Sequence, residues 1–575
     1  MFREIFTTLE RYYSLREVVD FAAFLSKYNR IQGSSDLERA MMAIVDILKD
    51  LGNIQLNTYV YSYSERYGIH LPVVGWDVNE CFIEMVKPSK RIIHSFINSK
   101  TCVVAHSPPG DVEAQVVYVG EGSEENSYRN VDGKIILAYG NPYLVYRIGS
   151  ELGAKGFIFF RTTSPGNSVP YLSLFLTPDE AKHFTAPAAS ISHSEAQRII
   201  RYLEKGEEVT MRIFVDSIFR SDAKIIVVEA GIGEGEKELH IYAHACHPAG
   251  TVNDNISGTA SLLELLIAFN RAIDRNMLNI PKEMRLTFIW FPEYYGSLPY
   301  LIEKVENRNM KIDFGVNLDM IGEKQEVTGS TLNIIRPPTF LSNKLYESVT
   351  VASLLNTLSL NSTFSNMQNV LSYRIDIVPY DGGSDHDIYL QFDIPSIMLN
   401  QWPDKFYHTD QDTIDKFDPI IASRIVIAIG APLYALATGS IDKTMLSNII
   451  DAYEKFLQGY SKMKRIFSTS STTNSYSSID HEKRYKYIGP KGIISLRYLV
   501  NILPRETFSN IKDIINNSFM QFLFTRYIPL SLMTSARSLN EIRELIENEY
   551  GVRIELDKIK KMIVYLEKLG LITAT

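Results

Sequence analysis

The sequence predicts an α/β protein: a central mixed, partly parallel sheet flanked by helices, with an inserted β-rich domain and a helical C-terminal domain. Three observations carry this. Residues 222–440 alternate apolar strands with amphipathic helices, the pattern of an α/β layer. Residues 100–220 change to short strands, turns and short helices, the texture of a small independent module. Residues 464–482, "KRIFSTSSTTNSYSSIDHE", are a Ser/Thr-rich stretch that buries no core and reads as a linker before a separate tail.

Length and composition set the frame. A chain of 575 residues exceeds what one hydrophobic core supports, so several domains are expected. Hydrophobic content of 45% and charged content of 22% are those of a globular protein. A formal charge of −8 on this length gives no overall footprint for nucleic acid or an anionic membrane. The N-terminal "MFREIFTTLERYYSLREVV" breaks its apolar residues with charges, and no run reaches the roughly 18 to 20 uninterrupted apolar residues of a membrane span. The expectation is a soluble protein without a secretory signal. Cys81, Cys102 and Cys246 are too few and too scattered for a disulfide framework, so a reducing, cytoplasmic compartment fits.

In chain order, residues 11–50 read as helical. "SSDLERAMMAIVDILKDLGN" has a Ser/Asp start, Met41, Ile44 and Leu48 at helical spacing, and a stop at Gly52. The strand "IQLNTYVYSY" follows. In the second module, "AQVVYVGEG" and "VDGKIILAYGN" read as strands, with a helix through "YRIGSELGAKGFIFFR". From residue 222 come the strands "AKIIVVEA", "ELHIYAHA", "EMRLTFIWF" and "KIDFGVNLDMIG", interleaved with helices from "SGTASLLELLIAFNRAI" and "GSLPYLIEKVEN". The tail carries two helices joined at a Gly-containing turn. Leu539, Ile542, Leu545 and Ile546 form one apolar stripe, and Leu556, Ile559, Met562 and Leu566 the other. No internal repeat of 20 to 50 residues is present.

In such a layer, ligands gather at the C-terminal ends of the strands. There stand His244 after "LHIYA", Asp254 in "NDNISG", Glu293 after "LTFIWFP", Asp319 after "FGVNL" and His408 in "KFYHTDQDT". Taken singly, His244 reads as a satisfied core histidine and Asp254 as a turn residue or helix cap. Taken together, five His, Asp and Glu residues at successive strand ends meet the requirements of a zinc site with a spare carboxylate as base.

The local strings resemble those of the co-catalytic zinc exopeptidases of the aminopeptidase and glutamate carboxypeptidase type. "HAC" at 244–246, "DNISG" at 254–258, "EYYGS" at 293–297, "NLDMIG" at 317–322, "SDHDIY" at 384–389 and "YHTDQD" at 407–412 follow that family's order over about 170 residues. "RIQGSSDLERAMMAIVDILKDLG" is similar to its opening helix. The string "HACHP" followed by "NDNISG" is similar to an aminopeptidase-like HxCHP branch. "DGKIILAYG", "GAKGFIF" and "PAASIS" resemble an inserted protease-associated domain, and the last helices resemble a winged helix-turn-helix. The resemblance implies a peptidase domain in two parts, 1–99 and 221–440, a protease-associated-like insert at 100–220, a helix and linker at 441–484, and a winged-helix-like domain at 485–575.

It also implies one or two zinc ions. His244 and Asp319 would hold one metal, Asp254 would bridge, His408 would help hold the other, and Glu293 would be the general base. His386 resembles the family's substrate-side histidine; otherwise it is a loop residue anchored by Asp385. Tyr407 reads as packing and His240 as structural. Two departures stand out. Cys246 replaces the aspartate that orients the metal-bound imidazole, and Tyr294 replaces a metal-binding glutamate, leaving it at most a substrate-side role. Either the second metal is lost or weakened, or His247 supplies the missing ligand; a second-shell or turn role for His247 also stays open, as does thiolate ligation by Cys246.

Two functions follow. The first is a zinc-dependent exopeptidase, an aminopeptidase acting on small peptides, with a peptide substrate and no membrane partner. The second is a non-catalytic binding or regulatory protein on a degenerate peptidase fold, using its tail for DNA or protein contact. Lys558, Lys560 and Lys561 alternate with Glu555, Asp557 and Glu567, which disfavours nucleic acid binding by 485–575. A homo-oligomer is left open.

Overall fold

The computed structural model describes residues 2–123, 125–359, 361–466 and 483–575. Eight strands form the large sheet, in the spatial order Gln55–Ser62, Lys224–Ile232, Arg285–Phe291, Lys237–His244, Lys311–Leu318, Ser396–Trp402, Thr331–Ile335, Ile375–Val378. The fold is therefore a mixed α/β layer. Lys237–His244 lies inside it, parallel to both neighbours.

The register of these three strands fixes the site. His244 pairs with Phe291, so the chain that continues to Glu293 leaves the sheet at the same edge. Tyr242 pairs with Asn317, and two further residues on each strand bring His244 level with Asp319. Three functional side chains are aligned by backbone hydrogen bonds alone, because parallel neighbours must end on one side.

Helices seal both faces. Gly258–Asp274 is buried almost all round: Leu262, Leu265, Leu266 and Phe269 are fully inaccessible. It packs beside Pro419–Ala437, where Gly430 lets the two approach closely; a Cβ there would meet Leu265 Cδ atoms at 3.1 and 3.2 Å. By length and composition the helical stretches Asn253–Asp274 and Pro419–Ala437 could cross a membrane, but 94% and 83% of their apolar windows are buried inside the layer. Their hydrophobicity is that of core helices.

The second sheet has seven strands in the order Arg91–Ser95, Gly75–Lys87, Thr210–Arg220, Gly110–Gly120, Ile135–Ala138, Gly156–Phe159, Ala188–Ser190. It begins at Gly75, ahead of the boundary expected at residue 100. Gly75–Lys87 pairs antiparallel with Thr210–Arg220 along nearly its whole length, a long-range register that local periodicity does not encode. Cys81, Ile83, Met85, Leu137, Ile158 and Ile213 give this sheet its own core.

Most of the Ser/Thr-rich linker, from 467 to 482, lies outside the described residues. Beyond it, the helices Leu539–Tyr550 and Leu556–Lys568 turn at Gly551, whose φ of 69° suits glycine. Ser538 and Glu541 form a capping box ahead of the first helix. Arg484–Tyr487 runs between Arg537–Ser538 and Ile572–Ala574 in a three-stranded antiparallel sheet. This unit does not stand apart: its core includes Ile69, Tyr380 and Leu390 of the preceding chain.

Leu265→Ala tests the packing of the central helix. With no solvent able to fill the space, it is expected to cost about 2 to 5 kcal/mol, read as a lowered urea midpoint at unchanged slope.

Candidate metal centre

Four segments deliver the site, and each is tied down by buried hydrogen bonds. Fully buried Arg30 donates from Nε to Ala245 O at 2.9 Å and from Nη2 to Thr251 O at 3.2 Å, so it clamps the loop "ACHPAGT" from both ends. Its own carbonyl accepts from His247 N at 2.8 Å. Asp412 accepts from Asn253 N at 2.8 Å and Asp254 N at 3.0 Å, fixing the turn that presents Asp254. Gln32 Nε2 donates to Glu293 O at 2.9 Å, and Asp385 Oδ1 accepts from Tyr294 N at 2.7 Å.

These anchors hold an unusual backbone. His247, Tyr294 and His408 have φ of 110°, 58° and 52°, in the region that favours glycine. Such residues cost on the order of 1 to 3 kcal/mol each and persist only where the surroundings over-determine them. All three lie at or beside the cluster.

The side chains converge on Asp254. Asp254 Oδ1 lies 3.4 Å from His244 Nε2, which lies 3.3 Å from Asp319 Oδ2. Asp254 Oδ2 lies 3.5 Å from His247 Nε2 and 2.9 Å from His408 Nε2. One carboxylate thus faces two ligand sets, His244 with Asp319 and His247 with His408, each able to close around one ion. His244, His247, Asp254 and Asp319 are all buried, and His408 is half-buried.

The donor set fits zinc. Ligands at about 2.0 to 2.2 Å from a tetrahedral ion stand roughly 3.3 Å from one another, close to three of these four separations. His408 Nε2 is a buried atom that makes no well-formed hydrogen bond although it stands 2.9 Å from Asp254 Oδ2, and a cation between the two would satisfy both. Tyr171 closes one side, its ring edge-on to His247 at 5.3 Å and to His408 at 5.2 Å, and Tyr407 stacks on His408 at 3.8 Å.

Charge separates the histidines. Burial drives His247 down to about 3, and burial seconded by Arg161 holds His408 well below its usual range, so both rings are neutral near pH 7. Burial also works against a proton on His244, but Asp319 foremost outweighs it and holds that imidazole well above its usual value. Burial raises Glu293 well above the ordinary carboxylate range; the pull of His244 opposes this, and Asp319, Asp385 and Asp254 add to it.

Of the residues expected from the sequence, His244, His247, Asp254, Glu293, Asp319 and His408 are brought together. One ligand atom from each of His244, Cys246, His247 and Glu293 lies within 4.8 Å of the others. Cys246 Sγ stands 3.4 Å from His244 Nδ1 and receives Glu293 N at 3.4 Å. His386 is placed elsewhere: it is fully buried, its Nε2 bonded to Asp381 O at 2.8 Å, and its ring packs against Tyr380. The substrate-side role expected for it is therefore not supported; its helix turns the ring inward. Tyr294 points its hydroxyl away from the cluster, to Asp387 Oδ2 at 3.0 Å. His240 is satisfied in the core by Tyr389 and Glu238. Arg30, Gln32 and Asp412 lie in strings quoted above, but their partners are distant in the chain; Asp385, expected to anchor His386, instead accepts from Tyr294 N.

Comparison with known proteins bears on the family and the fold. Residues 226–430 match peptidase family M28. The matched range includes all six clustered residues. No curated protein sequence matches the chain. Among solved structures, a peptidase M28 precursor from Shewanella amazonensis is 15% identical, covers 77% of this chain and 97% of its own, and superimposes with a TM-score of 0.56. A zinc aminopeptidase from Bacillus subtilis is 15% identical, with 74% and 95% covered and a TM-score of 0.52. A protein from Clostridium acetobutylicum is 14% identical over 100% of this chain and 99% of its own, with a TM-score of 0.51. At these identities the likeness is one of fold.

The electrostatics give a pH prediction. A cation needs His244 neutral, and the metal-free site holds it protonated, so binding must expel that proton. Zinc titrated calorimetrically in two buffers of different ionisation heat is expected to release about one proton at about pH 7, with affinity rising as pH rises. Affinity independent of pH would contradict this.

Proposed function

We propose that the chain is a zinc-dependent metallo-exopeptidase, an aminopeptidase that hydrolyses the N-terminal bond of small peptides, with two metal positions and Glu293 as general base. One observation carries the reading: the two oxygens of Asp254 face two complete ligand sets. His244, Asp254 and Asp319 would hold one ion, and His247, Asp254 and His408 the other. His247 takes the place that Tyr294 leaves vacant.

When bound, zinc supplies Lewis acidity, lowering the pKa of water toward 7 and polarising the peptide carbonyl. The protein's own groups do the rest. Glu293, within 4.8 Å of ring nitrogens of both His244 and His247, is placed to take a proton from the attacking water and return it to the leaving amine. Burial raises its carboxyl above the ordinary range, and cations bound beside it would favour the carboxylate form that a base needs. Cys246 Sγ lies beside His244 Nδ1 and fixes the tautomer whose Nε2 faces the carboxylates, the task an aspartate would otherwise perform.

We assign the C-terminal, winged-helix-like unit to protein contact and packing. Lys558 and Lys561 are paired with Glu555 and Asp557 at 3.9 and 3.0 Å, which leaves little uncompensated charge for a phosphate backbone.

Glu293→Gln is expected to lower turnover of amino-acyl reporter substrates by about 10² to 10⁴-fold at unchanged zinc content. Unchanged turnover would remove Glu293 from the reaction. His247→Ala is expected to reduce zinc from about two ions per chain to about one, measured by atomic emission on dialysed protein. Two ions retained would show that another residue completes that position.

A further inference from the structure

A cavity of about 460 Å³ is in the size range of small-ligand sites. Three of the stretches that line it matter here. Tyr294 and Tyr295 directly follow Glu293. Phe175 comes four residues after Tyr171, whose ring stands against His247 and His408. Arg497 and Arg526 come from the C-terminal unit.

The aromatic groups are ordered. Phe175 stacks on Tyr295 at 6.3 Å, and the Tyr294 hydroxyl is held by Asp387. The charges are not balanced. No aspartate or glutamate lines the cavity. Arg526 Nε is already committed to Asp387 Oδ2 at 3.0 Å. Arg497 has no ion-pair partner among the described residues. Its Nη1 donates to the Tyr295 hydroxyl at 3.2 Å and its Nη2 to Pro72 O, while its Nε is buried with no acceptor at all. His70, also on the wall, is kept neutral by burial and by Arg497, so it neither offsets nor adds charge.

A guanidinium that is partly desolvated, unpaired and short of an acceptor is a costly arrangement unless a ligand completes it. A carboxylate suits it, because Nη1 and Nη2 each keep one N–H beyond the bonds to Tyr295 and Pro72, and both can meet one carboxylate. We propose that this cavity binds a carboxylate of the peptide substrate through Arg497, between the aromatic walls of Phe175 and Tyr295. The proposal deepens the peptidase reading and rests on it for the word substrate. The carboxylate has two sources, the C-terminus of a short peptide or an acidic side chain. Because the C-terminal unit contributes the cation, the insert Phe175 and the α/β layer Tyr295, only the whole chain forms the site.

The test is equilibrium binding to the full-length, zinc-loaded protein by calorimetry, with three amino-blocked peptides: acetyl-Phe-Ala, acetyl-Phe-Ala amide and acetyl-Phe-Glu amide. Blocking the amine lets binding be read without turnover, so failure of the aminopeptidase reading leaves this test intact. At least one carboxylate peptide is expected to bind about tenfold more tightly than the neutral amide, and which one does so names the source. Arg497→Gln is expected to abolish that difference. Should that variant not fold, Arg497→Lys, which keeps the charge and loses the fork, is expected to reduce it about threefold or more. Equal affinity for all three peptides overturns the proposal. A preference that survives undiminished in the Arg497 variants also overturns it, since the carboxylate would then be read at the metal centre.

Discussion

The carboxylate of Asp254 is buried with His244 on one oxygen and both His247 and His408 on the other, and Asp319 completes the first group. In a low-dielectric interior, two buried carboxylates and three imidazoles whose nitrogens converge are unstable together unless protons or cations stand between them. The rest of the site is arranged to hold Asp254 still. Asp412 grips the backbone amides of residues 253 and 254, and Arg30 grips the loop that brings His247 across to it. The positive φ angles at His247, Tyr294 and His408 are the conformational cost of that convergence.

Two departures from the resembled exopeptidase pattern make sense as a set. With Cys246 in the aspartate's place, His244 keeps an acceptor beside Nδ1 without a further negative charge in the cluster. With Tyr294 in the glutamate's place, a carboxylate is removed and a neutral imidazole, His247, stands on that side. Each change lowers the negative charge around the cation positions. Tyr294 is released to hydrogen-bond Asp387, which also meets Arg526.

That link joins the C-terminal unit to the residue after Glu293. The same unit supplies Arg497 to the cavity and shares its apolar core with Ile69, Tyr380 and Leu390. Docking of this unit, rather than its separate folding, is what gives the α/β layer a closed wall beside the metal centre.

The sequence by itself determined the α/β layer, the strand ends, and five of the six clustered residues, because strands in parallel register must present their C-terminal ends together. It also exposed the gap at Tyr294. The placing of His247 was left to long-range contacts: it follows His244 by three residues, but Arg30, more than 200 positions away in the chain, anchors the loop that holds it near Asp254. Distance along the chain also hid the pairing of Gly75–Lys87 with Thr210–Arg220 and the meeting of Arg497 with Tyr295. Local periodicity reports which face of an element is buried, while the partner against which it is buried is fixed only when the whole chain closes.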